Sequence, residues 1–254
     1  MQDKKTNFLY KIIKWLVWLF YPKVKLSGEE NVPAEPSIIV GNHSRAHGPI
    51  AGELYTPGPH YIWTIGQMMN MKEVPAYSFQ DFWSGKPKWT HWFFKILSYI
   101  IAPLAWFIFK NAHCIPVYRD SRVMTTFRET INKMKEGNHI VIFPESYVPH
   151  NNIVYEFQNG FVDAARLYYR RTGNKIKFVP MYLAPELKTI YYGVPTEFNP
   201  DVPLEEERVR VCNYLMDSIT EIAASLPEHS VVPYPNDIPK RMFKKNIPIE
   251  VTKK

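Results

Sequence analysis

Cysteine is scarce: Cys114 and Cys212 are the only two in 254 residues. Their separation fits neither a disulfide framework nor a metal-ligand spacing, and suits a reducing compartment. Glycine is scarce as well, eleven against twenty-two prolines, so many turns are set by proline. The sequence holds no Gly-x-Ser-x-Gly elbow, which argues against a serine hydrolase. It also lacks internal repeats, low-complexity tracts and any recognisable linker. A bilayer-spanning run of about 20 apolar residues is missing, and no small-residue cleavage site follows the first apolar stretch, against a cleaved signal. Acidic residues are outnumbered, 24 to 31, for a net charge of +7.

What is present is apolar and basic. Hydrophobic residues make up 46% and aromatics 15%, which excludes disorder and supports one sizeable core in one domain. The positive balance points to a polyanionic partner, a membrane surface or a nucleic acid. Its location favours the membrane. In "NFLYKIIKWLVWLFYPKVK" lysines interleave with Trp, Phe and Leu, the pattern of an interfacial helix over residues 1–22 lying among headgroups. The alternative is a helix packed on its own domain. "WTHWFFKILSYIIAPLAWFIFK" (89–110) has an apolar core of fourteen residues, Ile96 to Phe109, interrupted by Pro103. Too short to span, it reads either as a buried core helix or as a re-entrant segment. Residues 231–254 form a basic tail whose lysines favour anionic lipid. Nucleic acid is set aside, because no predicted solvent face combines clustered Arg with aromatics.

Between these ends, strand and helix signals alternate. Strands are predicted at 37–41, 60–65, 113–118, 138–143 and 175–183, each a β-branched or aromatic run bounded by turn residues. Helical periodicity marks "DSRVMTTFRETINKMKEG", "GFVDAARLYYRRTG" and about 204–226, the first two ending in a glycine suited to a C-cap. This alternation predicts an α/β fold: a single layered domain over 23–230, its mainly parallel sheet flanked by helices.

Chemistry in such sheets collects at strand ends. Three stand out: "GNHSRAHGP" with His43, "PVYRD" with Arg119, and "IFPES" with Glu145 and Ser146. They offer a base, an anion clamp and a carboxylate. His43 and His47 have the i, i+4 spacing of a zinc pair, but Gly48-Pro49 follows at once and makes a helix through both improbable, so no metal is expected.

The order of these motifs resembles the PlsC-like lysophospholipid and 1-acylglycerol-3-phosphate acyltransferases over residues 23–200. "NH" matches at Asn42-His43, "CIPVYR" at Arg119, "FPE" at Phe143-Pro144-Glu145, and "VP" at Val179-Pro180, with Gly160 where the family starts a helix. The resemblance implies that His43 takes the acceptor's proton, as in Ser-His-Asp chemistry with the hydroxyl supplied by substrate. It assigns substrate binding to Asn42, Arg119, Phe143, Pro144 and Ser146, with Arg45 as a further anion contact. It also implies a fatty acyl thioester donor, acyl-CoA or acyl carrier protein, no bound cofactor, and peripheral or monotopic placement at the cytoplasmic face of a membrane.

Two departures set this chain apart. Five positions after His43 the family has aspartate and this sequence has Gly48. The family's Gly-Thr-Arg after "FPE" is replaced by Ser146-Tyr147-Val148, which takes away an arginine for an acceptor phosphate. Losing the carboxylate from such a pair can cost about 10⁴ in rate. Glu53, His47 and Glu145 are the candidates to replace it, Glu145 foremost, alongside the alternative that nothing does. The expected function is a membrane-surface acyltransferase acting on a lysophospholipid or related lipid hydroxyl. The alternative is a catalytically silent homologue that binds lipid or acyl carrier.

Overall fold

The computed structural model describes residues 7–249. In chain order the elements are α1 (Phe8–Phe20), β1 (Lys25–Ser27), β2 (Ser37–Gly41), α2 (His47–Tyr55), β3 (His60–Ile65), α3 (Val74–Trp83), α4 (His91–Asn111), β4 (Cys114–Val117) and α5 (Val123–Lys135). There follow β5 (His139–Ile142), β6 (Glu145–Pro149), β7 (Tyr155–Phe157), α6 (Val162–Thr172), β8 (Lys177–Ala184), β9 (Thr189–Tyr192), β10 (Thr196–Glu197) and α7 (Leu204–Ser225). Contacts gather the chain into two compact units, Met1–Lys23 with Trp63–Thr126, and Val24–Ile62 with Phe127–Lys254. The sequence predicts one continuous layered domain. The division arises because the segment between β3 and β4 is apolar enough to close a core of its own.

The second unit holds the sheet, in the order β1-β9-β8-β2-β5-β3 with β10 beside β8. Its centre is parallel: Ile39 of β2 stands opposite Val141 of β5 on one side and Val179 of β8 on the other. Every residue of β2 and β5 is buried. That explains why these strands read as unbroken apolar runs instead of alternating, since a parallel sheet is covered on both faces. Helix α7 packs on β8 and on α6, burying Val211, Cys212, Leu215, Met216, Ile219 and Ala223 along one stripe. Because β2, β5 and β8 run parallel, their C-terminal ends share one edge, where ligands of open α/β sheets collect.

Five strands sit where the sequence predicts them, two to the residue and three shifted by one or two positions at their ends. Those it does not predict are short edge or hairpin strands, β1, β6, β7, β9 and β10. Of these, β9 and β10 pair antiparallel with β8. The predicted C-terminal tail is no free basic arm as far as Ile249. Val231 and Asn246 are buried, and the Val231 N–H donates to the Lys244 carbonyl at 2.8 Å. Asn246 Nδ2 donates to the Ala223 carbonyl at 2.7 Å and its Oδ1 accepts from His229 N at 2.9 Å. Residues 1–6 and 250–254, the remainder of the two predicted basic ends, lie outside the described residues.

In the first unit, Met68, Val74 and Ala102 form a small core packed by Ile65, Tyr77, Ala105, Trp106 and Phe109. Helices α3 and α1 both rest on α4. α4 runs unbroken through Pro103, and the 24 residues Lys88–Asn111 are long and apolar enough to cross a membrane by length and composition. The fourteen-residue apolar run understates the helix because flanking residues extend it. It is not a core helix: Trp89 is 78%, Trp92 66%, Tyr99 71% and Ile100 68% exposed. α1 is similar, with Tyr10 its one buried residue and Phe8, Trp15, Leu19 and Phe20 exposed.

Candidate active site

At the end of β2, Asn42 is buried and hydrogen-bonded through both ends of its amide. Oδ1 accepts from Leu183 N at 2.7 Å, and Nδ2 donates to the Leu183 carbonyl at 3.1 Å and to Ser44 Oγ at 2.8 Å. The side chain prolongs the β2–β8 pairing beyond the strand. It fixes where His43 starts, and both of its amide hydrogens are spent on the protein.

The chain then turns sharply. Ser44 and Arg45 both adopt left-handed backbone, φ 44° and 57°, a conformation that costs a non-glycine residue on the order of 1 kcal/mol or more. Gly48 N donates to the His43 carbonyl at 2.9 Å and closes the loop. Gly48 itself has no positive φ. Its requirement is space: a Cβ there would press into the His43 carbonyl oxygen and lie 2.9 Å from both the Asn42 carbonyl oxygen and the Phe143 ring. Helix α2 begins only at His47, so the two histidines do not share a helix face and the zinc-type spacing is not realised.

His43 is half-buried. Phe143 meets its ring edge-on at 5.6 Å between centroids and Tyr234 at 5.2 Å. Nδ1 is buried with no hydrogen-bond partner among the described residues. Burial pushes the imidazole below its ordinary pKa, partly opposed by the carbonyls of Arg45 and of His43 itself. The ring is therefore neutral at pH 7, the form a general base needs.

Glu145 is fully buried, and it reaches His43 through the backbone. Its Oε2 accepts from His43 N at 2.6 Å and its Oε1 from Tyr155 N at 2.9 Å. It ties the His43 loop to the β6–β7 hairpin, and its carboxylate makes no hydrogen bond to the ring. Burial raises its pKa to about 7, against the pull of the two N–H donors. The sign follows by linkage. Between about pH 4.5 and 7 the unfolded chain releases this proton while the folded chain keeps it, so stability falls as pH rises through that window and levels off above it. At about 1.4 kcal/mol per unit the fall amounts to roughly 3 kcal/mol. Urea midpoints of wild type and Glu145→Gln across pH 4–8 should differ by this component, which the variant lacks. Parallel pH curves for the two would refute it.

The other predicted residues part company. Phe143 packs on the imidazole and close against Gly41, Gly48 and Gly52. The Pro144 carbonyl accepts from Gln158 N at 2.9 Å, and Ser146 Oγ accepts from Val148 N at 3.2 Å. Arg45, predicted as an anion contact, instead donates to the Ile238 carbonyl and lies 4.9 Å over the Phe243 ring. His47 faces Lys240 and Arg45, whose charges add to burial in lowering its pKa. Arg119 belongs to the first unit and is exposed. Tyr234 is absent from the sequence-level candidates. Its only local signal is a tyrosine between two prolines in "VVPYPND", which nothing but tertiary contact connects to His43.

Comparison with known proteins gives the following. The Acyltransferase family model matches residues 86–184, a span that holds Arg119, Phe143-Pro144-Glu145 and Val179-Pro180 but begins beyond His43. Among curated proteins no sequence matches. The crystal structure of the 1-acyl-sn-glycerophosphate (LPA) acyltransferase PlsC from Thermotoga maritima is similar at a TM-score of 0.51 with 18% identity, over 89% of this chain and 86% of that one. The chain is thus similar to the Acyltransferase family over residues 86–184 and shares the fold of PlsC.

Proposed function

We propose that the protein transfers a fatty acyl group from a thioester donor to the hydroxyl of a lysophospholipid or related lipid at a membrane surface. One observation carries this reading: in a PlsC-like fold, a neutral imidazole stands at the end of β2, its loop held by the glutamate of the "FPE" motif at the end of β5. With Nδ1 buried, Nε2 is the nitrogen left to meet the acceptor. It takes the hydroxyl proton as the oxygen attacks the thioester carbonyl; the C–S bond then breaks and the imidazolium returns the proton to the leaving thiolate. Incubating the purified full chain with labelled acyl-CoA or acyl carrier protein and a panel of lysolipids tests the reading. A labelled diacyl product is expected. No product with any pair would support the silent, lipid-binding homologue.

Membrane association is part of the proposal. Exposed Trp and Phe on α1 and α4 support it, as does Lys23, whose Nζ lies 3.0 Å over the Trp18 ring and donates to the Trp18 carbonyl at 3.0 Å. Deleting residues 1–22 is expected to move much of the protein from the membrane to the soluble fraction. Resistance of the full chain to carbonate and high salt would instead assign the anchor to α4.

A further inference from the structure

The segment after α7 returns over the catalytic loop. It is pinned at its root by buried groups: His229 Nε2 lies 2.8 Å from Tyr182 Oη, and Asn246 bonds His229 and the end of α7. Between these pins Tyr234 reaches His43. The same ring meets Tyr147 at 5.0 Å and Tyr155 at 6.2 Å between centroids, so three tyrosines form a continuous aromatic surface beside the imidazole. Beyond Tyr234, the stretch 236–240 is largely exposed. Arg45 holds it: the guanidinium donates to the Ile238 carbonyl and covers Phe243, with Asp237 close enough to favour its charge. Arg45 stands two positions from His43 in the strained turn, so the catalytic loop itself grips the segment that covers it.

We propose that residues 230–246 are a wall of the acyl-transfer pocket. In it, Tyr234 is a positioning residue that sets how closely an acceptor approaches His43, and Arg45 is the clasp that keeps the wall closed. The wall presents rings instead of charge at this point, so it selects by bulk next to the reacting hydroxyl. Its effect on transfer rests on the acyltransferase reading; its shielding of His43 does not.

The experiment therefore has two arms. In the first, His43 in the full chain is carbethoxylated with diethyl pyrocarbonate at pH 7 and followed by mass spectrometry. The reagent attacks neutral imidazole, and His43 is already neutral there, so the rate reports access. Tyr234→Ala and Arg45→Met should each raise it several-fold, while Tyr234→Phe, which keeps the ring, should leave it at the wild-type rate. In the second arm, the ratio of kcat/KM for lysophosphatidylcholine over lysophosphatidic acid should rise several-fold in Tyr234→Ala and stay unchanged in Tyr234→Phe. Thermal melting of each variant checks that the chain is folded. Wild-type modification rates in both Tyr234→Ala and Arg45→Met would overturn the wall. If the wild type acylates no lysolipid of the panel with either donor, the acyltransferase reading fails, and the first arm alone decides whether the wall exists.

Discussion

His43→Ala is expected to lower acyl transfer by about 10²–10⁴, the usual worth of a general base, with a denaturation midpoint close to wild type. The ring is half-buried and makes two edge-on aromatic contacts, so truncation removes little packing. The pinned backbone, including the bond from His43 N to Glu145, is untouched. A residue that only packed would behave the other way, with lowered stability and near-normal specific activity. The pH profile adds a second reading. Burial lowers the His43 pKa, so the acid limb of kcat/KM should fall below the ordinary imidazole value of about 6.5. Wild-type turnover by His43→Ala with any substrate would sink the mechanism.

Gly48→Asp would install the aspartate of the acyltransferases that the sequence resembles, and the expected result is loss, not rescue. A Cβ at this position has nowhere to go. It meets two backbone oxygens, which cannot swing aside as a side chain can, and the Phe143 ring. Overpacking of this kind typically costs about 1–3 kcal/mol, and a carboxylate pressed towards carbonyl oxygens adds repulsion. Gly48→Ala separates the two effects, because it adds the Cβ without the charge. Both variants should unfold at lower urea than wild type and lose activity. A Gly48→Asp protein of wild-type stability and raised turnover would show instead that the loop relaxes and places the new carboxylate beside Nδ1. In this loop, with its strained Ser44-Arg45 turn and its Gly48–His43 closure, a side chain at position 48 has no room.

Much of this protein is legible in its sequence. The central strands announce themselves because a sheet covered on both faces demands unbroken β-branched runs, and "SIIVG" and "HYIWTI" are strands to the residue. His43, Arg119 and Glu145 stand out as polar residues at the ends of such runs, a pattern local in sequence. The edge strands and the β6–β7 hairpin are less visible, being two to five residues long and stabilised by their neighbours more than by their own composition. What tertiary structure alone decided is which side chain meets which. A carboxylate 102 positions along the chain binds the His43 backbone and not its ring. An arginine that reads as an anion site grips a carbonyl 193 positions away. A tyrosine in an apparent tail closes on the imidazole. Residue type records that a group is charged or aromatic, whereas its role depends on the direction of its side chain and on distant backbone, and no local pattern encodes either.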